Sequence, residues 1–263
     1  MDTFRDWWVR VALIAAVLLP VYFLTAALGT KFGFFDWTVG FGQMTFVWGP
    51  RLVLGVAALA LLGLLIAFFT PPRRGVLSAL VALLIPALGL GYAFYARQQA
   101  SAVPPIHDIS TDLADPPAFS SAIAEARAAI PQSNGLDLLS KRTGDDHLFV
   151  DLQREAYPDI THVSTGLSHD RAYDIALALA REQDWTIGRE DKAAGAIEAT
   201  AESFWYGFVD DIAIRVRADG SGARIDMRSV SRVGRSDIGA NAARMRPFLG
   251  ELRARLQAAE SAG

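Results

Sequence analysis

The sequence predicts an all-α transmembrane anchor of three helices followed by an α+β soluble domain, with a largely antiparallel sheet and helices on one face. Three observations predict it. Residues 11–30, 52–70 and 75–96 carry no charged side chain. Beyond Arg97 charges recur every few positions and no long apolar run returns. In that second part, strand-like alternation and helix-like stripes follow one another. The apolar fraction of 52% therefore averages two unlike parts. Residues 1–96 sum to a net charge of +3, which leaves −6 for residues 97–263.

Each uncharged stretch is long enough to cross a hydrocarbon core of roughly 30 Å. Three in succession exceed what a water-soluble core uses. Pro20 and Pro86 fall inside two spans, where neighbouring helices satisfy the freed carbonyls, so kinks are expected rather than breaks. The first stretch is longer than a signal-peptide core and two more follow it, so it reads as a retained anchor despite the small residues Thr25-Ala26-Ala27. Positive charge sets the orientation. With the N-terminus inside, Arg5, Arg10, Arg73 and Arg74 are cytoplasmic, and Lys31, Arg51 and Arg97 lie outside. Three spans then place the soluble domain across the membrane, in a bacterium the periplasm. The expected location is a multi-pass position in the cell inner membrane. The connection 29–50 reads as a loop whose Phe32, Phe34, Phe35, Trp37, Phe41, Phe46 and Trp48 form a headgroup-level belt.

The organisation expected is an anchor over residues 1–97, a linker over 98–115 with Pro104-Pro105, and a soluble domain over 116–263. Asp115 followed by Pro116 reads as a helix start, with Phe119, Ile123 and Ile130 on its apolar face. Residues 148–152 read as a strand or extended piece, and 160–163 as extended. Ser168 or Asp170 opens a helix to about Gln183, with Ala172, Ile175, Ala176, Leu179 and Ala180 in its stripe. Residues 185–189 and 196–204 read as strands. Ile212, Ile214 and Val216 alternate with charged neighbours, and Asp219-Gly220-Ser221-Gly222 turns the chain back through Ile225 and Met227. A two-residue turn at Gly220-Ser221 sets Arg215 opposite Asp226 on the outer face. A last helix starts at Ser236 and runs to about Ala258, with Pro247 inside it.

An acidic soluble part excludes a nucleic-acid partner, whose footprint is a basic face. The absence of cysteine excludes disulfides, thiol catalysis and cysteine-ligated zinc. His107, His147, His162 and His169 lack a compact ligand spacing, so no metal is expected. Gly166-Leu167-Ser168-His169-Asp170 lacks the closing glycine of a nucleophile elbow. No cofactor is implied and no catalytic residue is assigned.

Three pieces carry a family resemblance: Tyr157-Pro158-Asp159-Ile160, Gly207-Phe208-Val209-Asp210-Asp211, and the long run RSVSRVGRSDIGAN over 228–241. With these the chain resembles the bacterial and plastid proteins carrying domain of unknown function 1499, over roughly residues 107–256. The resemblance implies a family often attached to membrane spans. It implies no established activity and supplies no catalytic assignment.

The same region holds the densest polar cluster: Asp210, Asp211, Arg228, Ser231, Arg232, Arg235, Ser236, Asp237, Asn241 and Arg244. Two readings stand side by side. A helix start at Ser236 beside Arg232 and Arg235 is an anion site for a phosphate or carboxylate headgroup. Alternatively Asp210, Asp211, Arg228 and Arg232 form an ion-pair lattice that locks the hairpin to the last helix. The function expected is a non-enzymatic binding or assembly domain at the cell envelope. Its partners would be the lipid bilayer and an envelope protein or anionic lipid headgroup. The alternative is an envelope hydrolase or transferase that uses the cluster at 210–244.

Overall fold

A computed structural model describes residues 2–262. The chain forms two compact units. The first holds residues 1–99 together with Phe204–Gly207, and the second holds Ala100–Ser203 and Phe208–Gly263.

In the first unit, α1 (Asp2–Lys31), α2 (Gly49–Phe69) and α3 (Val76–Ser101) are the three uncharged stretches with their flanks. The segments Phe4–Lys31, Thr38–Phe69 and Val76–Ser101 are long and apolar enough to cross a membrane. Their mutual contacts use small residues: Ala12, Ala16, Ala60 and Ala82 form one buried cluster, and Val9, Ala67 and Ala79 another. Leu18, Leu54, Leu84 and Leu88 point outward instead. Small residues inside and large apolar ones outside is the arrangement of helices that pack in lipid. Pro20 and Pro86 lie within α1 and α3. Arg5 is buried and donates to the carbonyls of Thr70 (3.4 Å) and Pro72 (2.5 Å), which ties α1 to the α2–α3 turn.

The connection expected as an aromatic loop is instead largely helical: Thr38–Trp48 is a π-helix that runs directly into α2. Asp36 starts it by accepting from the Thr38 amide (2.8 Å). The wide turns leave carbonyls for side chains, with Tyr22 donating to Met44 O at 2.9 Å and Thr45 to Gly40 O at 2.9 Å. Gly40 permits the close approach to α1, since a Cβ there would lie 1.9 Å from Thr30 Oγ1.

The second unit is an α+β domain. In order it contains β1 (Asp108–Ser110), α4 (Ser121–Ala128), α5 (Phe149–Ala156), β2 (Val163–Thr165), α6 (His169–Glu182), β3 (Thr186–Asp191), β4 (Ala196–Glu202), β5 (Val209–Asp219), β6 (Gly222–Ser231) and α7 (Ala240–Ser261). The sheet is antiparallel in the order β1-β6-β5-β4-β3, and β2 also pairs with β6, end to end with β1. The β5–β6 hairpin has the expected two-residue turn and register, with Arg215 opposite Asp226 and Asp219 opposite Gly222. Directly paired residues share a face. Ile197, Ile212, Ile214, Ile225 and Met227 therefore point to one side, where α6 and α7 supply Tyr173, Leu179, Phe248 and Leu252.

Four local expectations are corrected. The stretch read as linker, 98–115, contains the end of α3 and the buried strand β1. The first soluble helix begins at Ser121, not at Asp115, whose carboxylate instead accepts from Arg217 at 2.7 Å. Residues 149–152 lie in helix α5, with Phe149 and Gln153 buried four apart, while Leu148 just before it is extended and bridges Arg142; five residues cannot separate period 2 from period 3.6. Helix α7 starts at Ala240 rather than Ser236, because Ile238 (φ 54°) and Gly239 (φ 80°) are left-handed and interrupt the helix there.

Candidate functional site

The alternation in β4, β5 and β6 that sends aliphatic side chains to the helices sends charged ones to the opposite face. Asp211, Arg215 and Arg217 of β5 share that face with Arg224, Asp226 and Arg228 of β6, Glu198 of β4 and Asp108 of β1. This face is not open to water. Asp108, Asp211 and Asp226 are each fully buried, and Arg228 is 4% exposed. The segment 111–148, which includes α4, supplies the groups that cover it.

Three knots of charge result. Asp211 accepts a bidentate contact from Arg232 (2.7 and 3.1 Å) and one from Arg127 of α4 (2.5 Å). Arg127 is itself buried and also donates to the carbonyls of Asn134 and Ser231, both at 2.9 Å. Asp108 receives Arg228 through Nε and Nη2 (2.9 and 2.8 Å) and Lys141 (2.5 Å). Arg228 spends its remaining donors on the carbonyls of Pro117 and Leu136 and lies 5.3 Å from the Phe119 ring centre. Asp226 accepts from Arg215, Arg217 and Arg224, while Asp112 takes a second contact from Arg224 at 2.7 Å. Glu198 completes the face by accepting from the amide and hydroxyl of Ser120, at 2.5 and 2.6 Å. Burial alone would raise the Asp108 pKa; its contacts with Arg228 and Lys141 overcome that and hold it below the usual carboxylate range.

The helix side of the sheet carries a smaller polar network at the start of α7. Asn241 is fully buried, accepts from Ser229 Oγ (2.6 Å) and donates to Ser231 Oγ (3.1 Å) and to His107 O (3.3 Å). Arg244 reaches Asp210 at 2.6 Å and Asn241 Oδ1 at 2.8 Å. Asp237 accepts from the amides of Gly239 (2.8 Å) and Asn241 (3.0 Å), so it satisfies a free amide of the first turn from two residues before the N-cap Gly239; burial raises its pKa despite those bonds.

Eight of the ten residues singled out in the sequence thus divide between two faces. Asp211, Arg228 and Arg232 belong to the covered charged face, whereas Asp210, Ser231, Asp237, Asn241 and Arg244 surround the start of α7. Ser236 does not cap the helix; its hydroxyl accepts from the Ile238 amide at 3.1 Å. Arg235 is exposed, and its carbonyl meets His107 Nδ1 at 3.2 Å. The pairing of Arg215 with Asp226 forms at 3.2 Å, but under the covering segment rather than on an outer face. Sequence reasoning missed Arg127, Asp108, Lys141 and Glu198, which lie far from the cluster in the chain. A shallow cleft of about 500 Å³ is lined by Asp112, Gln153, Arg154, Tyr157 and Thr161. Gln153 is held there by both backbone groups of Ser110, and Arg154 pairs with Asp151. Among the described residues no group of three metal-ligating side chains converges.

His107 is buried against Phe149, with ring centres 4.8 Å apart, and its Nε2 is sealed without a partner. Burial, reinforced by Lys141, depresses its pKa from 6.5 to about 4. The folded domain therefore holds a neutral ring where the unfolded chain takes up a proton. The stability that this neutral ring contributes is present above pH 6.5 and is lost as pH falls through about 4, a change of about 3 kcal/mol. His107→Gln, which keeps a donor for Arg235 O and does not titrate, should flatten the pH dependence of thermal unfolding across that window. An unaltered pH slope would contradict the assignment.

These geometries define a class: a three-helix, membrane-capable anchor carrying an α+β domain whose sheet has an aliphatic face under two helices and an ion-paired face under an irregular cover. The chain belongs to the family described as protein of unknown function (DUF1499), whose model matches residues 108–252. No curated protein matches it.

Proposed function

We propose that this chain is a membrane-anchored, non-enzymatic binding or assembly protein of the cell envelope, with its α+β domain on the periplasmic side of the inner membrane. The observation that carries this reading is the closure of the polar cluster. The acids of the cluster are engaged: Asp211 by two guanidinium groups, Asp210 by Arg244, Asp237 by the amides of Gly239 and Asn241, and the neighbouring Asp108 by Arg228 and Lys141. Catalysis needs a reacting atom within reach of such groups in a concave site, so this closure weighs against a hydrolase or transferase at 210–244. The charge pattern around the spans supports the N-in orientation.

The partner expected is an envelope protein or an anionic lipid headgroup, with the exposed Arg235 as a contact for the latter. The test is purification of the intact chain from membranes in mild detergent, followed by mass spectrometry of what it retains. Retention of one envelope protein or anionic lipid, reduced by Arg235→Ala in the lipid case, supports the reading. Turnover of an envelope substrate abolished by Asp210→Asn would overturn it. For orientation, a phosphatase fused to the C-terminus should be active; activity of a cytoplasmic reporter there would contradict the N-in arrangement.

A further inference from the structure

Outside the anchor helices and their connections, the large apolar side chains exposed among the described residues are Leu139, Phe204, Trp205 and Ile238. Two of these are adjacent. Phe204 is 72% exposed and Trp205 53%, and their rings meet edge to face at 4.9 Å. They sit at the tip of the connection from β4 to β5, flanked by buried or charged residues on both strands. Exposed adjacent aromatics leave a patch of apolar surface in contact with water.

A second observation says what covers them. Although it lies a hundred positions beyond α3 in the chain, the tetrapeptide Phe204–Gly207 groups with the anchor helices. Inside that unit, Lys31 at the end of α1 donates to Phe204 O (2.8 Å) and lies 5.1 Å from the Phe204 ring centre. The Tyr206 hydroxyl and Thr45 of the π-helix are 2.7 Å apart, and the rings of Tyr206 and Phe41 meet at 4.9 Å. Lys31 and the π-helix stand at the ends of the apolar spans, where the headgroup layer begins. Trp and Tyr are the side chains that this layer favours, because an amphipathic ring satisfies both of its sides, and Phe204 adds apolar area beside Trp205.

We infer that the Phe204-Trp205 tip is a further membrane-contact site, which inserts into the headgroup–acyl boundary of the leaflet at the α1 C-terminal end. The inference rests on the membrane-anchored reading above. It makes the β4–β5 connection a lipid-facing foot rather than a protein-binding patch.

The chain has no cysteine, so single cysteines can be labelled in the whole protein. Trp205→Cys, Leu84→Cys on the outward side of α3 and Ser221→Cys at the β5–β6 turn would each carry an environment-sensitive fluorophore. The three proteins are reconstituted in vesicles of phosphatidylcholine and phosphatidylglycerol. The expected result is blue-shifted emission at 205 relative to 221, with several-fold stronger quenching by a headgroup nitroxide lipid and weaker quenching by iodide. Position 84 should be quenched best by a nitroxide deep in the acyl chain. If 84 is lipid-quenched while 205 behaves like 221, the foot is refuted and the anchor stands. If 205 is shielded from both iodide and nitroxide lipid, protein covers the tip and the inference fails. If 84 is also in water, the anchored reading itself fails, and the foot with it.

Discussion

Replacing Asp211 with alanine should destabilise the α+β domain by about 3–5 kcal/mol, because it strands two guanidinium groups in a covered site. Asp211 is fully buried, and Arg127 and Arg232 converge on it. Arg127 cannot retreat to water without withdrawing α4, since it also holds Asn134 O and Ser231 O. The loss should be read as hydrogen exchange of β5 and β6 amides in the whole chain in micelles. At about 1.4 kcal/mol per factor of ten, protection should fall by roughly two to three and a half orders of magnitude. Exchange in α1–α3 should not change.

The second large effect is expected at Arg228. Arg228→Ala removes a bidentate partner from the fully buried Asp108, two donors from the carbonyls of Pro117 and Leu136, and a cation from the Phe119 ring. Lys141 remains on Asp108 and limits the damage. A loss of about 3 kcal/mol follows from a buried charge left half-compensated. Because Asp108 owes its depressed pKa to Arg228 and Lys141, the variant should also unfold at higher pH on acid titration. Near-UV circular dichroism against pH measures this shift. A variant that titrates like the parent protein would mean that Arg228 does not hold Asp108.

These two sites show how far the sequence can be read. The spans are legible because a long uncharged run has few other uses. The β5–β6 hairpin is legible because Gly220-Ser221 fixes its register and alternation fixes its faces. The start of α7 is less so: SDIGAN looks like a serine cap followed by a helix, but the N-cap is the left-handed Gly239, and Asp237 reaches the Asn241 amide from two residues before it. The covered charged face is the least legible. Asp211, Asp226 and Arg228 alternate with aliphatic residues in the manner of a solvent-facing row, and period 2 gives sides without saying what lies on them. Their partners Asp108, Arg127 and Lys141 come from a region of short helices and loops with weak periodicity. A net charge of −6 over residues 97–263 also conceals how many of those charges are paired.

The same face explains why the cluster resembles a site. Acid, guanidinium, amide and hydroxyl groups at close spacing are what catalysis and ligand binding require, and they are also what a sheet needs when an irregular segment covers it. Buried ion pairs contribute less to net stability than their Coulomb attraction suggests, since both partners lose hydration. Their expected contribution is to geometry: each knot accepts one arrangement of the cover and penalises others.

That claim has a direct test in the Arg127–Asp211–Arg232 knot. The measurement is the exchange protection of β5 and β6 in Asp211→Ala and in the charge-free triple variant Arg127→Leu, Asp211→Leu, Arg232→Leu. If the knot is structural, the single change loses most protection and the triple change recovers much of it, because no charge is left unpaired. Protection in Asp211→Ala equal to that of the parent chain would contradict a structural knot and return these residues to the status of a ligand site.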